Sequence, residues 1–356
     1  MAIATPKIQA VDLFCGVGGL TRGLSDVGID VRLGVDVDPS CRPAYVNNNR
    51  ANFLEMDIAQ VSPEDVKRVF DCDAITLLAG CAPCQPFSTY ARSAKGQKRS
   101  DRAGRGKADD WKLVRRFGEL VRAVKPDLVT MENVPPLAEQ PVFQEFLDFL
   151  EGYSVDFQIV DGRKIGLPQS RRRLVLVASK IGKITLPIPE QPCKTVRDTI
   201  ADLPVLAAGE CDPTDPLHCA SKLSDINMAR IRASKPGGTW RDWPSKLRAA
   251  CHKKETGASY PSVYGRMEWD KPSPTITTQC FGYGNGRFGH PQQDRAISLR
   301  EAAMLQGFPQ DYLFVDKSQK PSFATLGRLI GNAVPVPLGG YIGETLLQHA
   351  TSIHSN

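Results

Sequence analysis

The first forty residues constrain the fold most. Ile8 to Phe14 is an apolar run of strand character, and Cys15-Gly16-Val17-Gly18-Gly19-Leu20 after it is a glycine-rich turn. Thr21 to Val27 opens a helix, and a second apolar run, Val31 to Val35, ends on Asp36-Val37-Asp38-Pro39. Strand, glycine loop, helix, strand and acid make the opening unit of a nucleotide-binding α/β sheet. Glycines let the backbone approach a ligand closely, and a carboxylate on the second strand can hold ribose hydroxyls. The loop reads Gly-x-Gly-Gly rather than Gly-x-Gly-x-x-Gly, with Asp12 just before it. That spelling points to an adenosine-type ligand without the demands of a pyrophosphate.

The pattern continues down the chain. Phe53 to Ile58 reads as a third strand end carrying an acid at Asp57, and Ser62 is the expected N-cap of a short helix over Pro63 to Val69. A fourth strand, Asp73 to Leu78, leads into Gly80-Cys81-Ala82-Pro83-Cys84-Gln85-Pro86-Phe87-Ser88. The two prolines flanking Cys84 fix the backbone there, at the strand end where open α/β sheets bind ligands. Three readings of that cysteine stand side by side. It is a small buried filler, one half of a Cys-x-x-Cys redox or metal pair with Cys81, or a nucleophile.

The loop from Thr89 to Lys107 carries seven basic residues among three glycines. Hinged directly on Cys84, it reads as a basic flap that closes on phosphates. Asp109 to Val124 is helical, and a fifth strand, Asp127 to Met131, ends on Glu132-Asn133-Val134. Neighbouring parallel strands would bring Glu132 and Cys84 into one crevice. A helix over Phe143 to Leu150 and a strand over Val155 to Val160 follow. Gln169-Ser170-Arg171-Arg172-Arg173 then runs into the apolar strand Leu174 to Ala178, and strand geometry puts Arg171 and Arg173 on one face.

From about Leu186 strand–helix alternation stops, and prolines 187, 189 and 192 mark a linker. The following segment mixes Gly, Pro, Trp, Arg and Lys, a composition suited to phosphate and base-edge contacts. The expected fold is therefore a doubly wound α/β sheet with helices on both faces and a smaller loop-rich domain. Residues 1–186 and 326–356 are assigned to the sheet domain, and 187–325 to the second domain and hinge. No apolar run spans a bilayer and no signal-peptide core stands at the N-terminus, so no membrane partner is expected. The ten cysteines lack framework spacing and fit thiols in a reducing cytosol. Cys193, Cys211, Cys219, Cys251, His218 and His252 lack the paired spacing of a zinc site, so no metal is expected. The net charge of +6 permits a polyanionic partner.

Taken in order, these blocks resemble the DNA cytosine-5 methyltransferase family over nearly the whole chain. Asp12-x-Phe14-x-Gly16-x-Gly18-Gly19 is similar to its first cofactor block, with Asp36 and Asp57 as the acids of the next two. Pro83-Cys84-Gln85 resembles the nucleophile block, Glu132-Asn133-Val134 the Glu-Asn-Val block, and Gln169-x-Arg171-x-Arg173 the Gln-x-Arg-x-Arg block. Arg300-Glu301 with Gln306-Gly307-Phe308-Pro309, and Gly331-Asn332-Ala333-Val334-Pro335, are similar to the two closing blocks.

The resemblance implies a Rossmann-like sheet that binds S-adenosyl-L-methionine and releases S-adenosyl-L-homocysteine. Asp12, Phe14, Gly16, Gly18, Gly19, Leu20, Pro83, Asn332 and Val334 would line that cofactor. Asp36 would hold its ribose, Asp57 and Ile58 would contact the adenine, and Val37 would pack on it where the family often has a larger side chain. It further implies that the Cys84 thiolate adds to C6 of a flipped-out cytosine, with Glu132 at N3, Arg173 at O2 and Arg171 in support. Double-stranded DNA would be met by Gln85, Ser88, Arg99, Arg241, Arg266 and Arg287. The resemblance also implies a monomer, cytoplasmic and associated with the nucleoid through DNA, with a cognate restriction endonuclease encoded separately. A nicotinamide dehydrogenase would share the glycine loop but not the other blocks, and an RNA-methylating relative is the nearest competing reading.

Overall fold

A computed structural model of the chain describes residues 6–83, 107–254, 261–315 and 322–354. Cys84, Gln85, Ser88 and Arg99, with the flap from Thr89 to Gly106, lie outside the described residues. In chain order the elements begin with β1 (Ile8–Leu13), α1 (Gly19–Asp26), β2 (Asp30–Asp36), α2 (Arg42–Asn48) and β3 (Asn52–Glu55). Next come α3 (Pro63–Lys67), β4 (Ile75–Gly80), α4 (Lys107–Val124), β5 (Leu128–Asn133) and α5 (Pro141–Asp148). The strands β6 (Ser154–Asp161) and β7 (Arg172–Ser179) are followed by α6 (Val196–Ile200) and α7 (Asp225–Arg232). The last helices are α8 (Leu299–Leu305), α9 (Phe323–Asn332) and α10 (Val336–His354).

The strands form one sheet in the order β3-β2-β1-β4-β5-β7-β6. Strands β1 to β5 are mutually parallel, while β7 runs antiparallel to both β5 and β6. β1 is buried along its whole length, as a strand covered on both faces must be. Helices flank the sheet. Val11, Leu13, Leu78, Phe117, Phe146 and Leu176 belong to one continuous core, in which the rings of Phe117 on α4 and Phe146 on α5 lie 5.1 Å apart. Ser62 caps α3 through a capping box with Asp65, as the sequence predicts. Helix α1 crosses α10 closely enough that a Cβ on Gly23 would lie 2.6 Å from the Cα of Gly339. Only glycines permit that approach.

The chain divides into two compact units: Met1–Asp161, Arg172–Glu190 and Val336–Asn356 form the first, and Gly162–Arg171 with Gln191–Pro335 the second. The division differs from the expected boundaries at three places: residues 162–171 and 326–335 cluster with the second unit, and 187–190 with the first. Backbone pairing accounts for the first: the Ser170 amide donates to the Ser273 carbonyl (2.8 Å) and the Ser273 amide to Pro168 (2.9 Å). Close packing accounts for the second, because Gly331 lies against the backbone of Thr277 and Thr278 with no room for a side chain.

The second unit consists of short helices, 3-10 turns and isolated β-bridges. Its interior is held by a buried ion pair in which Arg295 meets both oxygens of Glu301 at 2.7 Å. Glu301 also completes the capping box of α8 with Ser298. The neighbouring Arg300 grips Asp215 with two nitrogens, at 2.6 and 3.0 Å. One sequence expectation is corrected here. Cys211 and Cys219 form a disulfide rather than two thiols, because an antiparallel bridge brings their Cα atoms to 4.0 Å. Among the described residues no helix is long and apolar enough to cross a membrane, and no group of three or more His, Cys, Asp or Glu is arranged to hold a metal.

Candidate active site

The carboxyl edge of the parallel strands gathers most of the residues singled out in the first unit. Leu13 of β1 pairs with Val35 of β2 and Gly80 of β4, and Gly80 pairs with Met131 of β5. The segments after β1, β2, β4 and β5 therefore emerge side by side. Strand β7 starts at this same edge because it is antiparallel: Asn133 pairs with Leu174, and Glu132 with Val175.

On the β1–β2 side, the chain leaves the sheet through Phe14 in the left-handed region (φ 60°), then Gly16 (φ 53°) and Gly18 (φ 87°). A non-glycine residue held there carries strain that the surrounding structure must offset. The carboxylate of Asp36 fixes this loop, accepting the Gly16 amide at 2.8 Å and the Asp38 amide at 2.9 Å. Gly18 caps α1, with Gly19 and Leu20 buried at its start. Behind the loop, the Thr21 hydroxyl donates to Asp12 Oδ2 at 2.7 Å.

Three features fit an adenosine-type ligand at this side. Asp12 is fully buried, yet its Oδ1 has no hydrogen-bond partner. A Cβ on Gly16 would meet nothing within 4 Å, so the space above the loop is open. Val37, just after β2, leaves 48% of its surface exposed despite being apolar. Asp57 is half-buried after β3 and Ile58 buried beside it.

Burial pushes the Asp12 carboxyl up to about 7, against the pull of the Thr21 hydrogen bond. An unfolded Asp12 ionises near pH 4, so between about pH 4 and 7 the unfolded chain gives up a proton that the folded chain keeps. Stability is therefore expected to fall as pH rises through that window, by roughly 4 kcal/mol from this one group at ~1.4 kcal/mol per pKa unit. Denaturation midpoints measured from pH 4 to 7 should slope less in Asp12→Asn than in the parent. Parallel slopes would rule the assignment out.

On the β4–β5 side, Glu132 is 3% exposed at the end of β5. The Cys81 thiol donates to its Oε2 at 2.7 Å, and Arg173 Nε lies 2.9 Å from its Oε1 as an ion pair without hydrogen-bond alignment. Asn133 donates from Nδ2 to the Ala82 carbonyl at 2.9 Å, clamping the segment that leads through exposed Pro83 toward Cys84. Burial, then the charge and hydrogen bond of Glu132, push the Cys81 thiol well above its ordinary range. Cys81 is thus a proton-bearing donor and a poor nucleophile.

Sequence reasoning did not anticipate the Cys81–Glu132 contact or the Asn133 clamp. The contact follows from the strand register, which the structure supplies: Gly80 pairs with Met131, and Cys81 and Glu132 come next on the two segments.

The remaining residues lie in the second unit. Arg171 is 4% exposed, and its guanidinium donates to the carbonyls of Ile276 (3.1 Å), Gly331 (3.3 Å) and Ala333 (3.4 Å). It lies one residue before β7, and the two side chains have separate partners, Arg173 pairing with Glu132. Arg171 ties loop segments together. Gln169 and Gln306 extend the same network: Gln169 Nε2 donates to Gln306 Oε1 (2.7 Å), whose Nε2 donates to the Ala333 carbonyl (2.7 Å). In the closing block Asn332 is exposed and Val334 buried.

Arg266 differs from an exposed DNA contact. It is 5% exposed and donates to the carbonyls of Ile231, Ser234, His290 and Gln293 and to Asp294. Arg287 is half-buried and donates to Gly238 and Arg266 carbonyls. Arg241 is exposed, with its guanidinium 5.5 Å from the centre of the Trp240 ring.

Comparison with known proteins agrees with this geometry. The family model described as C-5 cytosine-specific DNA methylase matches residues 8–348. The chain is 48% identical over 353 residues to the type II methylase M.HgiDII of Herpetosiphon aurantiacus, covering 97% of this chain and 96% of that one. It is 30% identical to the type II methyltransferase M1.HphI of Haemophilus parahaemolyticus, covering 97% and 88% respectively. The crystal structure of a putative DNA modification methyltransferase encoded within an Escherichia coli prophage superposes with a TM-score of 0.72 at 22% identity, covering 96% of this chain and 99% of that one, and shares the fold. With a glycine loop, a Glu–Arg pair whose carboxylate is buried, a Pro-Cys-Gln segment between them in sequence, and a match over nearly its full length, this chain belongs to the C-5 cytosine-specific DNA methylases.

Proposed function

We propose that the protein is a sequence-specific DNA cytosine-5 methyltransferase that uses S-adenosyl-L-methionine and forms a covalent bond between Cys84 and C6 of a flipped-out cytosine. The observation that carries this reading is buried Glu132 paired with half-buried Arg173 at the carboxyl edge, Glu132 standing on the strand beside the one that leads into Pro83-Cys84. C5 of cytosine is a poor nucleophile, and addition of a thiolate at C6 makes it enamine-like. Glu132 would hydrogen-bond N3 of the base and stabilise the charge that builds up as sulfur adds. Arg173 would hold Glu132 and approach O2. The cofactor supplies an electrophilic methyl group on a sulfonium centre.

After C5 takes the methyl group, loss of the C5 proton to a base returns electrons to the ring and expels the Cys84 thiolate. Asp36 retains acceptor capacity for ribose hydroxyls beyond its two amide bonds, Asp57 and Ile58 would meet the adenine, and Val37 would pack on its face. Asp12, Phe14, Gly16, Gly18, Gly19, Leu20 and Pro83 complete the proposed pocket in the first unit. Among the second unit's residues, exposed Arg241 is the best supported DNA contact. Extrusion of the base from the duplex costs about a few kcal/mol of stacking, which phosphate and base contacts must offset. By likeness to the type II methylases, the proposed setting is a bacterial cytoplasm, as a monomer, with a separately encoded endonuclease for the same sequence.

The test is to incubate the purified protein and labelled cofactor with a random-sequence duplex library or with tRNA, then map the modified cytosines. The expected product is 5-methylcytosine within one short DNA sequence, with no product from Cys84→Ser. Label in tRNA alone, or a Cys84→Ser enzyme that still turns over, would refute the proposal.

A further inference from the structure

We propose that Cys81 is a positioning residue: its thiol hydrogen bond fixes the carboxyl of Glu132 so that Oε1 is left to face the base. This rests on the reading of Glu132 as the group that meets N3. A carboxyl that must deliver one oxygen to a substrate can rotate about its last torsion, which is broad for Glu. Here the two oxygens are differentiated. Oε2 accepts the Cys81 thiol at 2.7 Å, while Oε1 stands 2.9 Å from Arg173 Nε and lacks an aligned hydrogen bond.

The thiol is itself fixed from three sides. Cys81 follows β4 directly, its amide donates to the Leu13 carbonyl at 3.3 Å, and the next residue's carbonyl is held by Asn133 at 2.9 Å. A donor on so rigid a frame holds a carboxyl more firmly than a mobile water would. Arg173 lies beside Oε1 without an aligned hydrogen bond, so the thiol on Oε2 is the directional contact that sets the carboxyl's rotation. The charged groups acting on the thiol are Glu132, Arg173 and Asp12. The net effect of burial and the two carboxyls is to keep it protonated, the state in which it can donate. This arrangement argues against Cys81 as half of a redox pair with Cys84, since its hydrogen is engaged by Glu132.

Serine at position 81 keeps a donor, whereas alanine removes it. Cys81→Ala should lower kcat by about tenfold or more, as expected for losing a hydrogen bond to a charged group. KM for DNA and for the methyl donor should not change, because the Cys81 thiol is engaged by Glu132 and is not among the residues proposed to bind either. Cys81→Ser should restore kcat to within about a few-fold of the parent. Independently of turnover, the S–H stretching band isolated as the parent minus Cys81→Ser infrared difference should be broadened and shifted down. It should move back up when Glu132→Ala removes the acceptor.

Wild-type kcat in Cys81→Ala, or equal losses in Cys81→Ala and Cys81→Ser, would overturn the proposal while a slow Glu132→Gln enzyme leaves the role of Glu132 standing. Full turnover in Glu132→Gln would instead remove the reading on which the proposal rests.

Discussion

Replacing Glu132 by Gln should lower kcat by about 10²- to 10⁴-fold, the range associated with losing a positioned acid–base group. KM for DNA should stay near the parent value. Glutamine keeps the shape of the side chain and an acceptor for the Cys81 thiol, so the buried site is not emptied. On the proposed mechanism, what is lost is the proton shared with N3, together with the charge that pairs with Arg173, 2.9 Å away. A loss confined to the chemical step separates kcat from KM. Single-turnover methylation of a saturating duplex, followed by labelled methyl transfer, measures that step directly. An enzyme that instead loses DNA affinity with its chemical step intact would mean that Glu132 acts in binding.

Arg295→Met should cost about 3–5 kcal/mol of stability, because it strands the Glu301 carboxylate in the second unit without its partner. The pair is almost wholly enclosed, with Arg295 at 0% and Glu301 at 1% side-chain exposure. Burial opposes ionisation of Glu301, yet the Arg295 hydrogen bonds and charge outweigh it and hold the carboxyl below its usual range. His290, 3.7 Å from the same carboxylate, is lowered to about 4 in the parent, by burial first and the Arg295 charge among others, so it does not share the charge of Glu301 there. Adding Glu301→Gln to Arg295→Met should recover much of the loss, because the capping amide survives and no bare charge remains. Three of the four tryptophans, Trp240, Trp243 and Trp269, lie in this unit, so fluorescence-monitored urea unfolding reports on it selectively. A double variant no more stable than the single one would show that the cost lies in lost packing.

Much of the first unit was legible because its signals are local. A glycine loop after an apolar run, an acid at the end of the next, and a serine before Pro63 each report on their own surroundings. β1, β2, β4 and β5 were all expected near where they lie. The direction of β7 was not legible, since an apolar run such as Leu174 to Ala178 reads the same whether it runs up or down the sheet. That direction decides the site: only an antiparallel β7 brings Arg173 to the edge where Glu132 ends β5.

Arginine was the least legible residue. Arg171, Arg266 and Arg295 are indistinguishable in sequence from surface charge, yet each is buried, donating to carbonyls from distant parts of the chain. Such partners are set by tertiary folding in a unit with few regular elements. The Cys211–Cys219 disulfide was missed for the same reason, its cysteines being joined by a bridge between loops.

The tight passage of Gly23 past Gly339 also orders events during synthesis. Helix α1 emerges from the ribosome early, but the surface it presents to α10 stays bare until residues 336–354 have followed, after the whole second unit. The helix that follows the glycine loop therefore gains this support only after the second unit has been made. A nascent chain would already hold every described strand of its sheet, the last ending at Ser179, while the helix after the glycine loop still lacked its packing against α10.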